Sequence, residues 1–231
     1  MVIAGLQKLT LLDYPGYTAC TIFTNGCNFR CHFCHNSALV AGRASEIISE
    51  TQIFEFLQSR KGKLDGVCIS GGEPTLQSDI CEFAKHVKDM GFLVKIDTNG
   101  SNYEVLKKLV QNKLCDYVAM DIKTSLANYS KIAGAEVDLN QIKKSISFLL
   151  SSGVDYEFRT TVVHPYHWAE DFYEIAKLIS GAKRYYLQQF KDSGAVLKGG
   201  CSAYNVKEMQ EFLQIVKQNG VPNAQLRGID L

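Results

Sequence analysis

Proline is scarce in this sequence, four residues in 231, and no low-complexity tract or internal repeat accompanies it. There is thus no candidate linker, and a solenoid built from roughly 20–50-residue repeats is excluded. No apolar run approaches the ~20 residues that a helix needs to cross a bilayer, so no membrane segment is expected. An excess of charge is missing too: 25 Lys and Arg oppose 24 Asp and Glu, for a formal net charge of +1. That balance argues against a nucleic-acid partner. The chain opens Met1-Val-Ile-Ala-Gly5 with no basic n-region and no apolar h-region, so no export signal is read and a cytoplasmic location is expected. In a reducing compartment the eight cysteines point to metal or catalytic roles ahead of disulfides. Apolar residues, by contrast, are plentiful at 46 %. A large core can form, and one domain over 1–231 is expected. Residues 1–16 would precede its first core strand and 221–231 would form a tail.

Three of the cysteines stand together, in Gly26-Cys-Asn-Phe-Arg-Cys-His-Phe-Cys-His35. The spacing of Cys27, Cys31 and Cys34 lets one loop hold three corners of a cubane iron–sulfur cluster. Electron-transfer clusters of that type have four cysteine ligands. Three leave one iron open to a small molecule. A zinc site with His32 or His35 as the fourth ligand is the alternative, since structural zinc is closed and four-coordinate. Zinc sites usually pair two C-x2-C knuckles. No second pair exists here, because Cys20, Cys68, Cys81, Cys115 and Cys201 are all isolated. Cys20, Cys68 and Cys115 read as small core residues, Cys81 as packing on a helix face, and Cys201 as a loop thiol.

Residues 18–24, 66–70, 93–98, 117–122, 156–163 and 185–190 read as strands. Helices are expected over 49–60, 79–90, 103–112, 139–152, 169–180 and 206–219. Ser49 with Gln52 forms a capping-box pair, and Gly91, Gly153, Gly181 and Gly220 stand where helix-ending glycines belong. The alternation predicts an α/β fold with a parallel sheet. About six βα units are visible, fewer than the eight of a full barrel. The expectation is therefore a partial (β/α)6 TIM-type barrel with helices outside.

Sites in such sheets gather at the carboxyl ends of the strands. The polar clusters fall there: the cysteine loop, then Gly71-Gly72-Glu73, then Asp97-Thr98-Asn99-Gly100, then Asp121-Ile122-Lys123, and Gln188 with Gln189. Each has a plain alternative as a turn or an ion pair. As one rim they would act together. Paired glycines let a ligand lie against the backbone. Glu73 can meet an ammonium. Asp97 sits in an apolar strand, where an unpaired carboxylate is costly. Asp121 and Lys123, two apart, should point the same way. Lys123 can hold a ligand carboxylate. An amino acid chelating the open iron would satisfy all of these groups.

Here the chain resembles the radical S-adenosylmethionine (SAM) enzymes, and among them the activating enzymes of glycyl radical proteins. Besides the cysteine run, the resemblance rests on Gly5-Leu-Gln-Lys-Leu-Thr-Leu-Leu-Asp-Tyr-Pro-Gly16, Ser70-Gly-Gly-Glu-Pro-Thr75, Asp97-Thr-Asn-Gly100, Tyr117-Val-Ala-Met-Asp-Ile-Lys123, Tyr156-Glu-Phe-Arg-Thr-Thr161 and Leu187-Gln-Gln-Phe190.

The resemblance implies that Cys27, Cys31 and Cys34 bind a [4Fe–4S] cluster whose open iron takes the amino and carboxyl groups of SAM. It implies that the backbone beside Phe33 meets the adenine, that Gly71, Gly72 and Glu73 line the methionine end, and that Lys123 pairs with the SAM carboxylate. Asp97, Thr98 and Asp121 stand where related activases bind a monovalent cation and that carboxylate, with Asn99 beside them. Asp13 and Arg159 match positions that face the glycyl loop of the partner. Gln188-Gln189-Phe190 replaces a Pro-Tyr-His context of the pyruvate formate-lyase activases, so the cation end of the site and the partner can differ.

The implied reaction begins with one electron from reduced flavodoxin or ferredoxin. SAM is then cleaved to methionine and a 5′-deoxyadenosyl radical, which removes a hydrogen atom from a backbone glycine. The partner implied is an anaerobic ribonucleoside-triphosphate reductase. The alternatives are activation of another glycyl radical enzyme, of the pyruvate formate-lyase kind, and a small-molecule reaction like that of 7-carboxy-7-deazaguanine synthase. A zinc-binding or electron-carrying module that is no enzyme is a further alternative.

Overall fold

The structure is a computed structural model, and it describes residues 1–42, 46–192, 194 and 196–229. The tail expected over 221–231 runs past this limit, and residues 230 and 231 lie outside the described residues. The chain divides into two compact units, one of Met1–Asn28, Ala38–Thr98 and Asn102–Ala119, the other of Phe29–Ser37, Asn99–Ser101 and Met120–Leu231.

The first unit carries β1 (Ile3–Thr10), β2 (Ala19–Thr24), most of α1 (Ser37–Val40), α2 (Glu50–Ser59), β3 (Gly66–Gly71), α3 (Ile80–Asp89), β4 (Leu93–Thr98), α4 (Tyr103–Gln111) and the start of β5 (Tyr117–Asp121). Strands β2, β3 and β4 are parallel and in step, Thr24 opposite Gly71 and Ile69 opposite Ile96. Their carboxyl ends therefore lie along one edge. The strands are apolar because parallel strands are covered on both faces. Ile22, Val67, Ile69, Val94 and Ile96 are fully buried, as are Ile53 and Leu57 of α2 and Val87 of α3. Helix α2 begins with the expected capping box: Gln52 N donates to Ser49 Oγ at 3.2 Å and Ser49 N to Gln52 Oε1 at 3.0 Å.

The second unit holds the end of β5, then α5 (Tyr129–Ala133), α6 (Leu139–Ser151), β6 (Asp155–Val162), α7 (Ala169–Leu178), β7 (Tyr185–Gln189), α8 (Val206–Gln218) and β8 (Ala224–Arg227). Strands β6, β7 and β8 are parallel, Thr161 opposite Gln188 and Gln188 opposite Arg227. Phe158, Leu187, Phe172 and Ile175 are fully buried, and Phe172 stacks on Phe212 of α8 at 4.5 Å between ring centroids. Among the described residues no helix is long and apolar enough to cross a membrane.

The six predicted strands are β2 to β7, and all six predicted helices form within a residue or two of their expected ends. Two strands were not predicted. β1 pairs antiparallel to β2 with register shifts between Ile3 and Gly5 and between Gln7 and Thr10. Those shifts break the period of two that marks a strand in sequence. β8 has four residues, of which only Ala224 is buried. That is too short to carry a pattern.

Candidate active site at the carboxyl ends of the strands

In the first unit the chain leaves β2 at Thr24 and reaches Cys27, a half-buried cysteine outside any disulfide, three residues later. The Gly-Gly-Glu turn after β3 is laced to this loop by backbone bonds: Gly72 N donates to Thr24 O at 2.9 Å and Glu73 N to Gly26 O at 2.8 Å. Both glycines are required by that closeness. A Cβ on Gly71, at φ +117°, would stand 2.2 Å from Thr24 N, and one on Gly72 would stand 1.9 Å from Gly26 O. The sequence suggested a ligand against these glycines. On the Cβ side of both glycines, the protein's own backbone fills the space.

Glu73 is buried and works locally. One oxygen, Oε1, accepts from Thr75 N at 3.1 Å, Thr75 Oγ1 at 2.6 Å and Thr98 Oγ1 at 2.7 Å. It thereby caps the turn Pro74–Leu76 and ties it to the end of β4. Asp97, as its apolar strand requires, is paired. Its Oδ1 holds the Lys95 ammonium and its Oδ2 accepts from Ser70 Oγ at 3.0 Å. Lys95 is almost fully buried, with its Nζ 3.8 Å from Cys68 Sγ and 6.0 Å from the centre of the Tyr117 ring. Sequence reasoning missed Lys95, although it lies two residues before Asp97 and so on the same strand face.

Asp13 lies in the β1–β2 connection and accepts from Thr21 Oγ1 at 2.6 Å. The neighbouring Tyr14 is buried and packs edge-on to Tyr17 at 5.0 Å. The Asp-Tyr-Pro-Gly segment is thus anchored by its tyrosine.

In the second unit, Cys31 is buried and Cys34 is half-buried, both as free thiols. The end of α5 holds this part of the loop. Arg30 N donates to Ala133 O at 2.7 Å, and Cys31 Sγ lies 3.8 Å from the same carbonyl. Burial raises the Cys31 thiol against the pull of the Lys123 ammonium, while Cys34 and Asp121 add to the rise. Phe33 is buried, its ring 6.2 Å from both Tyr166 and His167. The imidazoles of the zinc alternative are turned elsewhere: His32 Nδ1 bonds Tyr166 Oη at 2.7 Å, and His35 stacks on Phe190 at 5.4 Å. Asn99 forms the expected Asx turn, its Oδ1 accepting from Ser101 N at 2.9 Å.

A ladder of alternating charge crosses the end of this unit. Asp121 Oδ2 accepts from Lys123 Nζ and Oδ1 from Arg159 Nε, both at 2.9 Å. Arg159 Nη1 lies 4.0 Å from Glu157, which takes a bidentate grip from Arg227 at 2.9 and 3.1 Å. Arg227 in turn lies over the Tyr186 ring at 3.6 Å. Burial would raise the Asp121 carboxyl, yet Arg159 and Lys123 hold it well below the usual carboxylate range. Burial would likewise lower Lys123, and Asp121 and Cys31 hold it up, so its ammonium stays charged. Glu157 and Arg227 were missed in sequence. Glu157 lies two before Arg159 on one strand face, but Arg227 belongs to the strand that was not predicted. Gln188, half-buried on β7, pairs with Arg227 in the backbone ladder.

His167 supports this corner. It is fully buried, with Nε2 2.7 Å from Lys123 O and Nδ1 accepting from Val163 N at 3.1 Å. Burial lowers its pKa, so the ring stays neutral and Nε2–H donates to the Lys123 carbonyl. Asp171 braces the next residues through Thr124, Ser125 and Asn128. Among the smaller expectations, Cys20, Cys68 and Cys115 are buried, and Cys81 and Cys201 are half-buried.

The donor set fits the cofactors that the resemblance implies. Three thiols occupy eight residues of chain, and a charged, fixed lysine acts on one of them. Among the described residues no three His, Cys, Asp or Glu side chains close on a single metal ion. A cubane cluster would take each thiolate on a different iron and needs no such closeness.

Comparison with known proteins gives the family. The pattern described as the radical SAM superfamily matches residues 21–179. A Methanocaldococcus jannaschii protein named for glycyl-radical enzyme activation is 38 % identical over 202 residues, covering 84 % of this chain and 82 % of its own. The 7-carboxy-7-deazaguanine synthase of Thermoplasma acidophilum is 29 % identical over 182 residues, 73 % of this chain and 82 % of its own. Among solved structures, Streptococcus suis SuiB bound to its precursor peptide SuiA superposes with a TM-score of 0.71 at 15 % identity, over 90 % of this chain and 48 % of that one, a likeness of fold. With the thiol run, the charged rim and this match in agreement, the chain belongs to the radical SAM superfamily.

Proposed function

We propose that this chain is an activating enzyme that removes a hydrogen atom from a backbone glycine of a partner protein, with anaerobic ribonucleoside-triphosphate reductase as that partner. The observation that carries the reading is the 38 % identity, across 84 % of the chain, to the M. jannaschii protein named for such activation. The Asp13-Tyr-Pro-Gly16 and Met120-Asp-Ile-Lys123 segments favour an activase as well. A protein substrate also suits the β1–β2 connection, where Leu11 and Leu12 stand 70 % and 88 % exposed beside the anchored Tyr14. Such a pair of exposed leucines offers apolar surface to a partner protein.

In this reading Cys27, Cys31 and Cys34 hold a [4Fe–4S] cluster with SAM on its open iron. When bound, that pair supplies a carbon-centred radical once an electron arrives from reduced flavodoxin or ferredoxin. The protein's part is orientation and the exclusion of water. Lys123, fixed through Asp121 and through its own carbonyl on His167, offers an ammonium to the SAM carboxylate. Glu73, Thr98 and Asn99 shape the methionine end, Phe33 the adenine end, and Gln188 the far wall. Asp13 and Arg159 face the incoming glycine. The cytoplasm is the setting, and the whole chain acts as one functional domain.

The test is anaerobic EPR of the reconstituted, reduced protein with SAM, then with the reductase. A cluster signal that changes shape with SAM, followed by a glycyl radical on the reductase, is the expected result. SAM cleavage with no glycyl radical would refute it. The likeness to the deazaguanine synthase favours one second reading, a small-molecule substrate. Turnover of such a substrate with no partner protein would establish that reading instead.

A further inference from the structure

The resemblance implies a monovalent cation held by Asp97, Thr98 and Asp121, and the residues present do not fit one. Asp97 already holds the Lys95 ammonium on Oδ1 and the Ser70 hydroxyl on Oδ2. The Thr98 hydroxyl is directed to Glu73 at 2.7 Å. Asp121 has a protein cation on each oxygen, Lys123 on Oδ2 and Arg159 on Oδ1. A metal cation placed on either carboxylate would meet an ammonium or guanidinium already there, and like charges at contact distance repel.

Lys95 is well suited to the part. Its side chain is 1 % exposed on a central strand, so its ammonium has no bulk water to turn to, and the Cys68 sulfur and the Tyr117 ring are near that same nitrogen. A close carboxylate favours the charged form of a buried lysine. An ammonium is also a compact point charge, close in character to a monovalent metal ion.

We infer that this chain carries the cation of its cofactor site in its own sequence: the Lys95 ammonium on Asp97 replaces the monovalent metal ion, and SAM binds without K⁺ or Na⁺. The inference rests on the proposed placement of Asp97 at the amino-acid end of SAM. Lys95 acts through Asp97 and is a positioning residue.

The experiment measures SAM affinity of the anaerobically reconstituted protein, read from the change in its cluster EPR signal. Potassium, sodium and tetramethylammonium buffers of equal ionic strength are compared, since tetramethylammonium is too bulky to enter a metal site. Equal affinities are expected. A loss of more than about fivefold in tetramethylammonium, the size of an ordinary linkage effect, would overturn the inference. Thermal unfolding of the same protein and of Lys95→Ala in the three buffers, with ammonium as a fourth, gives an independent readout. The wild-type protein should be indifferent to the cation. Lys95→Ala should melt lower and regain stability in K⁺ or ammonium but not in tetramethylammonium. A wild-type protein stabilised by K⁺, or a variant with no cation preference, would count against the inference. Should Lys95→Ala fail to fold, the wild-type comparison still decides. Should SAM bind in no buffer, the proposed function fails at this rim, and the unfolding comparison alone judges Lys95.

Discussion

Gly134 offers the sharpest test of how the cysteine loop is held. It ends α5 at φ +62°, and a Cβ placed there would lie 2.3 Å from the Arg30 carbonyl oxygen. The residue before it, Ala133, accepts from Arg30 N and faces Cys31 Sγ. Gly153 provides the control. It follows α6 at φ +79°, and a Cβ there would meet nothing within 4 Å. Alanine at either site costs about 1–2 kcal/mol for the left-handed backbone. The lost freedom of the unfolded chain is the same for both and cancels. Gly134→Ala must also push the Arg30 carbonyl back, and backbone cannot rotate aside as a side-chain tip can. Overpacking of that kind adds about 1–3 kcal/mol. Gly134→Ala should therefore lose about 1–3 kcal/mol more than Gly153→Ala in urea unfolding. Only Gly134→Ala should also reconstitute with less iron and sulfide per chain, because the displaced segment carries Cys31. Equal losses of stability in the two variants, with full cluster content in both, would refute the idea that α5 sets the loop.

Three further outcomes follow from the same geometry. Asp121→Asn leaves Lys123 and Arg159 facing each other without their shared carboxylate, and should lose about 1–3 kcal/mol at neutral pH. Because the folded carboxyl titrates well below the unfolded value of about 3.9, its contribution is complete above that value and vanishes in stronger acid. The gap between variant and wild type should then close in urea unfolding as the pH falls below about 4, and a gap that widens would refute the assignment. His167 is buried with its pKa lowered, so the unfolded chain takes up its proton first, and stability should fall as the pH drops below about 6.5. His167→Gln keeps a donor for the Lys123 carbonyl and should lose that slope between about pH 5 and 7; an unchanged slope would assign it to another group. Finally, burial pushes the Cys20 and Cys115 thiols up to about 12. Iodoacetamide and peptide mass spectrometry on cluster-free protein should find Cys27 and Cys34 modified well before either, and early labelling of Cys20 would show that β2 opens readily.

Much of this protein is legible in its sequence, for reasons that are local. The run Cys27 to Cys34 lies within eight residues, so no tertiary knowledge is needed to see three thiols on one loop. The strands β2 to β7 are short and apolar because parallel strands are buried on both faces, and the helices between them carry their own caps and terminal glycines. The place of Asp97 in an apolar strand announced a partner, because an unpaired carboxylate there would be costly. What sequence spacing could not supply was the identity of partners and the direction of side chains. It could not show that the Gly71-Gly72 pair is required by the backbone of residues 24–26, since that approach is between separate strands. It could not bring Arg227, on a four-residue strand with no readable pattern, onto Glu157 seventy residues away. It left Lys95 as one more lysine, and only the tertiary structure closes water away from that ammonium and leaves Asp97 to hold it. The chemistry was written in nearby residues, whereas the charge balance that tunes it depends on contacts between strands, and those exist only once the chain has folded.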